Sequence, residues 1–99
     1  MFLGFFRLAI DTVVGVEQAR TGDVPVAADA APVYTVLDAD ANILATGNCT
    51  AFGAYTGAWQ FSFSTSSPTF QRGKSYLVRV TYTVASGSAR VGEHTFIVT

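Results

Sequence analysis

The sequence contains a single cysteine, Cys49, among its 99 residues, so no disulfide can form within the chain. A fold of this size without disulfides must be held together by packing, as expected of a protein made in a reducing compartment. No apolar run approaches the roughly 18 residues that a membrane-spanning helix needs. Secreted disulfide scaffolds and helical membrane proteins are therefore not the classes that this sequence indicates.

Charged residues are also scarce, at 13% of the chain against the usual quarter or so. The net charge is −1 and the six basic residues are scattered singly. The chain therefore lacks the basic face that nucleic acids require and the polybasic cluster that binds anionic membranes. We predict neither partner. So few charges indicate either an uncharged polar surface or a surface that another molecule partly covers.

The apolar start "MFLGFF" does not resemble a secretion signal. No basic segment precedes it, and Arg7 and Asp11 interrupt it before an apolar core of the usual length is complete. From this we expect a complete small protein that remains where it is made, in the cytoplasm.

Alternation of apolar and polar residues is the main structural signal. In "SYLVRVTYTV" we expect Tyr76, Val78 and Val80 to be buried, with Arg79 and Thr81 more exposed. A facing or neighbouring strand is predicted over 58–65, where three aromatic residues share one parity. About seven such strands, at the spacing expected of a sandwich or a barrel, predict one all-β domain over 1–99.

The N-terminal third of the sequence contains two segments with different patterns. Residues 5–17 alternate, with Val14 and Val16 on the apolar parity, and predict one long strand or extended arm; their β-branched content disfavours the competing helix. Residues 18–32 are rich in Ala, Gly, Asp and Pro and predict a loop with a short edge strand near 24–26. We therefore expect an arm and loop over 1–31 and the sandwich core over 32–99.

Residues able to carry chemistry are few. "DADAN" at 38–42 has the oxygen spacing of a calcium loop, but Ile43 and Cys49 occupy positions where that loop needs Gly and Glu, so a hairpin turn is favoured. His94, the only histidine, shares parity with Phe96 and predicts a buried core position. We identify no catalytic, metal-binding or cofactor-binding residues and predict a protein that is not an enzyme.

Four segments of the sequence together resemble a known group of proteins. They are "PVYTVLDADANILATGN", "YTGAWQFSFS", "FQRGKSYLVRVTYTV" and "HTFIVT", which are similar to small Ig-like β-sandwich proteins in the virions of tailed bacteriophages. The resemblance covers roughly residues 32–99 and implies an Ig-like antiparallel β-sandwich of about seven strands. It implies a structural protein, most similar to a capsid cement or decoration protein that binds the major capsid protein and stabilises the shell. Its expected location is the capsid surface.

The N-terminal apolar residues lie outside this resemblance. A free terminus with several aromatic residues needs cover, either from its own sheet or from a second molecule. We therefore predict a partner-binding segment made of Phe2, Leu3, Phe5 and Phe6. The partner would be a capsid or other virion protein, or a second copy of this chain in a homo-oligomer.

Two other interpretations remain open from the sequence. One is a baseplate, neck or fibre component of the same kind of virion. The other is a carbohydrate-binding or adhesive module, which would need solvent-facing aromatic residues that form a flat platform. Only Phe52 and Tyr55 lie in a predicted loop able to offer one.

Overall fold

The structure is a computed structural model that describes residues 1–66 and 69–99. In these residues all regular structure is β. Seven strands have five residues or more and three have two. In chain order they are β1 (Phe2–Phe6), β2 (Thr12–Gln18), β3 (Arg20–Thr21), β4 (Val24–Pro25), β5 (Val33–Leu37), β6 (Ile43–Asn48), β7 (Thr50–Ala51), β8 (Ala58–Ser64), β9 (Ser75–Val84) and β10 (Ser88–Val98).

Two sheets form the sandwich. The larger has the order β1-β10-β9-β5-β6 and the smaller has the order β2-β8-β7, while β3 and β4 form a separate short ribbon. All the pairs are antiparallel except β1 with β10, which is parallel. The predicted all-β sandwich of about seven principal strands is confirmed, with one parallel pair at an edge of the larger sheet.

The core lies between the two sheets and follows the predicted parity. Tyr76, Val78 and Val80 on β9 are buried, and Arg79 and Thr81 are exposed. β8 lies in the opposite sheet, so the two segments, which were predicted to be neighbouring or facing strands, face each other across the core. The core cluster consists of Val13, Val36, Cys49, Phe61, Phe70, Tyr76, Val78, Val80, Phe96 and Val98.

The prediction of one strand over 5–17 is wrong. A turn separates β1 from β2, in which the Arg7 guanidinium forms a 3.0 Å ion pair with Asp11 and Ala9 has a φ of 60°. The Thr65 hydroxyl lies 3.1 Å from the carbonyl oxygens of both Arg7 and Asp11 and can donate to either. The turn changes the phase of the alternation, so that Val13 is buried while Val14 and Val16 are exposed.

The expected arm over 1–31 is also corrected. β1 pairs with β10 in the larger sheet, and β2 pairs with β8 in the smaller one. Both strands are integral to the sandwich, so the resemblance over 32–99 covers only part of the folded unit. The short edge strand expected near 24–26 is present as β4, which pairs with β3.

The predicted turns agree with the structure where it describes them. β5 and β6 form the expected hairpin, and Asp38 Oδ1 accepts hydrogen bonds from the backbone N–H groups of Asp40 and Asn42, both at 2.9 Å. Gly73 has the expected positive φ, at 81°. The turn predicted over 66–74 includes Ser67 and Pro68, which lie outside the described residues.

Candidate partner-binding surface

The structure divides the four predicted partner-binding residues into two pairs. Phe2 and Phe5 are solvent-exposed, at 53% and 66%. Leu3 and Phe6 are partly buried and pack against the core cluster, where the Phe6 ring meets the edge of Phe96 at a centroid distance of 5.9 Å. Only Phe2 and Phe5 are therefore available to a second molecule without unfolding β1.

An irregularity in β1 brings the two exposed rings together. Residues three apart on a regular strand point to opposite faces. The register between β1 and β10 shifts between Phe2 and Gly4, where Gly4 has a φ of 120°, a conformation that L side chains rarely adopt. Phe2 and Phe5 consequently lie on one side, edge to face, with ring centroids 5.6 Å apart. We call these two residues the β1 aromatic pair.

The β1 aromatic pair lies at a free edge of the larger sheet. β1 is the terminal strand of that sheet and pairs only with β10 in the described part of the chain. The start of the chain is nevertheless anchored, because the Met1 ammonium donates to the Glu93 carbonyl at 2.7 Å and Thr95 N–H donates to the Met1 carbonyl at 2.9 Å. Edge strands usually carry charges or proline that discourage pairing, and "FLGFF" carries neither.

A polar contact that the sequence analysis did not predict links the two sheets. Glu17 on β2 places Oε1 2.7 Å from Nε2 of His94 on β10, and both side chains are largely buried. An added Cβ at Gly92 would collide with the Glu17 carboxylate, so the absence of a side chain there makes room for it. His94 was predicted to be buried, and it is, at 5% exposure; its partner was not predicted.

The Glu17–His94 pair does not make a reactive nucleophile of the Cys49 thiol. Cys49 is also buried, and burial, together with the negative charge of Glu17, raises the pKa of its thiol to about 11. A thiol with so high a pKa stays protonated near neutral pH and is a poor nucleophile and metal ligand. We interpret Glu17 and His94 as a structural connection between sheets.

The predicted turn at 38–42 borders a cleft of about 480 Å³ that is also lined by Lys74 and Tyr76. The Asp38 carboxylate is already engaged, since Asn42 Nδ2 donates to it at 3.0 Å. Hydrogen bonds from Asn42 are the main cause of a lowered Asp38 pKa. In 1–66 and 69–99, no three His, Cys, Asp or Glu side chains form a group that could hold a metal ion.

The same part of the chain contains no helix long and apolar enough to cross a membrane. No protein-family model matches the sequence, and no curated protein matches it. Among solved structures, CopC from Methylosinus trichosporium OB3b is similar, with a TM-score of 0.54 and 17% sequence identity over 95% of this chain and 80% of the CopC chain. At that identity the likeness shows the fold alone, a β-sandwich.

Proposed function

We propose that this protein is a non-enzymatic structural component of a tailed-phage virion. In this proposal it is a capsid cement protein, made in the host cytoplasm, that binds the major capsid protein at the capsid surface and stabilises the shell. The resemblance of residues 32–99 to Ig-like virion proteins supports the assignment. The single structural observation that carries it is the β1 aromatic pair on a free, uncharged sheet edge.

The edge offers the two parts of a strand-addition site. The backbone groups of β1 on the side away from β10 can pair with an extended segment of a capsid subunit, which provides affinity and register. Phe2 and Phe5 would be covered by the same segment. Burial of a large apolar side chain contributes about 1.5–3 kcal/mol, so two rings supply a small hot spot of the kind that dominates protein interfaces.

The test compares Phe5→Asp with Val24→Asp. Both residues are exposed apolar residues, at 66% and 62%, but Val24 lies on the separate ribbon. Tagged chains are expressed in the cells that make the particles, heads and tails are separated on a density gradient, and the bound chain is quantified. Wild type and Val24→Asp should co-fractionate with heads, and Phe5→Asp should be reduced about tenfold or more.

Three results contradict this proposal in different ways. Recovery with tails alone would favour a baseplate, neck or fibre role. Equal recovery of Phe5→Asp and wild type would exclude the β1 aromatic pair as the docking site. Recovery with neither particle, combined with self-association in solution, would leave only a homo-oligomer at this edge.

The non-enzymatic part of the proposal has its own test. A folded His94→Ala or Cys49→Ser variant should bind heads as wild type does, because both side chains are buried in the core and are not presented to a second molecule. Loss of function in a variant with unchanged thermal stability would contradict that part.

A further inference from the structure

The outer face of the smaller sheet carries no charge. By register, Thr12, Val14 and Val16 on β2 lie opposite Ser64, Ser62 and Gln60 on β8, and these positions alternate with the buried Val13, Gly15 and Phe61. On the larger sheet, by contrast, the Arg79–Glu93 ion pair at 3.3 Å lies on the exposed face. None of the 13 Lys, Arg, Asp and Glu residues of the chain therefore occupies an outward position on β2, β7 or β8.

Two exposed aromatic residues extend this uncharged face at one end. Thr50 lies opposite Gln60, and Ala51 lies opposite Trp59. Phe52 N–H donates to the Ala58 carbonyl at 2.9 Å, which continues the ladder by one residue and places Phe52 on the same parity as Thr50. The Tyr55 ring stacks with Phe52 at a centroid distance of 6.0 Å and 18° between planes.

The loop that carries these rings is held at several points. Ala19 N–H donates to the Gly57 carbonyl at 2.8 Å, and Gln18 Nε2 donates to the Thr56 carbonyl at 2.8 Å. Gly57 has a φ of 70°, and an added Cβ there would collide with the Val26 carbonyl oxygen. Tyr55, although 71% exposed, is thus presented on a preorganised loop, which lowers the entropic cost of binding.

We infer that this face binds an uncharged glycan chain. The apolar C–H face of a sugar ring packs against an aromatic ring such as Tyr55, while sugar hydroxyls need donors and acceptors such as the Gln60 amide and the Ser62 hydroxyl. Thr12, Ser62 and Ser64 on this face have small side chains, which leave room for an extended chain to lie across the sheet. Acidic glycans are disfavoured because no outward position on β2, β7 or β8 carries a basic side chain to pair with them.

This inference is independent of the proposed capsid docking, because it uses the opposite sheet. The test is a titration of the ¹⁵N-labelled chain, followed by NMR, with cellohexaose, maltohexaose and chitohexaose, and with hexagalacturonate as the acidic comparison. At least one neutral hexasaccharide should shift the amide signals of Val14, Gln60 and Phe52. Tyr55→Ala and Gln60→Ala should each weaken that binding about tenfold. The matched control, Ile43→Ala, replaces a residue of the larger sheet that is exposed to a similar extent, at 69%, and should leave the binding unchanged.

Several outcomes would overturn the inference. They are the absence of shifts with all three neutral sugars, equal shifts with hexagalacturonate, or a Tyr55→Ala variant that binds as wild type does. Concentration-dependent shifts of the same amides without sugar would instead identify the face as a contact between copies of this chain. Because Tyr55 is mostly exposed, its replacement is expected to preserve the fold, and ¹⁵N spectra of the free variant check this directly.

Discussion

Two neighbouring parts of the core are held together by different kinds of interaction. Around Phe96 the core is aromatic: Phe63, Phe70 and Tyr76 surround it at centroid distances of 5.7, 6.1 and 5.4 Å. Around His94, two residues earlier on the same strand, the core contains a polar contact, in which the Glu17 carboxylate lies 2.7 Å from the ring beside Phe61. We call these the aromatic half and the polar half.

The two halves differ in what they contribute. We assign most of the stability to the aromatic half and the relative placement of the two sheets to the polar half. The aromatic half gains free energy from area removed from water, which is large and non-directional. The polar half has buried atoms, Trp59 Nε1 and His94 Nδ1, without a hydrogen-bond partner in the described residues, and such groups cost about 1–3 kcal/mol each. The Glu17–His94 contact fixes how β2 lies over β10 and contributes little net stability.

The largest effect is expected in the aromatic half. Phe96→Ala should lower the free energy of unfolding by about 3–5 kcal/mol, because it removes a fully buried ring and leaves a cavity. Urea denaturation monitored by tryptophan fluorescence measures the change. Ile97→Ala, the next residue on the same strand, is partly exposed and should cost clearly less. Similar costs for the two variants would mean that the aromatic half is not the main source of stability.

A smaller effect is expected in the polar half. Glu17→Ala should cost about 1–3 kcal/mol, since it leaves the buried His94 ring without its partner. The double variant with His94→Ala should be less destabilised than the sum of the single variants, because each of them already loses the contact. Additive losses in urea denaturation would show that the two side chains do not depend on each other.

The two halves also differ in how far they can be predicted from sequence. Alternation identifies Tyr76 and Phe96 as core residues, since each lies within a long uninterrupted strand. Phe70 was missed because it lies in a turn segment, where no alternation exists. Glu17 was missed because the Arg7–Asp11 turn resets the phase of β2, and a one-residue slip reverses which side chains face the core.

The candidate partner-binding surface, like the core, was predicted only in part. The apolar start of the chain indicated Phe2, Leu3, Phe5 and Phe6 as a set, but the irregularity at Gly4 decides which of them face outward. The uncharged face of the smaller sheet was missed through the same phase error as Glu17. That error assigned Val14 and Val16 to the buried parity. Both errors concern local backbone phase rather than the fold class.

The third prediction disturbs the polar half without replacing either partner. In Gly92→Ala the new methyl group occupies the position of the Glu17 carboxylate, which must move away from His94. Because a flexible side chain can yield, the loss of stability should be smaller than for Glu17→Ala. The His94 ring signals in NMR should nevertheless shift as they do in Glu17→Ala. Unchanged ring signals would show that Gly92 is not what makes room for the pair.

The smallest effect is a change of stability with pH from Cys49, which borders the polar half. Burial, and then the negative charge of Glu17, raises the pKa of the thiol from an ordinary 9.0 to about 11 in the folded chain. Between these values the unfolded chain releases the thiol proton and the folded chain keeps it, so the free energy of unfolding falls as pH rises from 9 to 11. Cys49→Ala should remove that part of the pH dependence, whereas Phe96→Ala, although much less stable, should keep the wild-type slope. Urea denaturation at pH 8, 9, 10 and 11 measures both slopes, and a Cys49→Ala slope identical to that of wild type would show that the buried thiol does not titrate in this window.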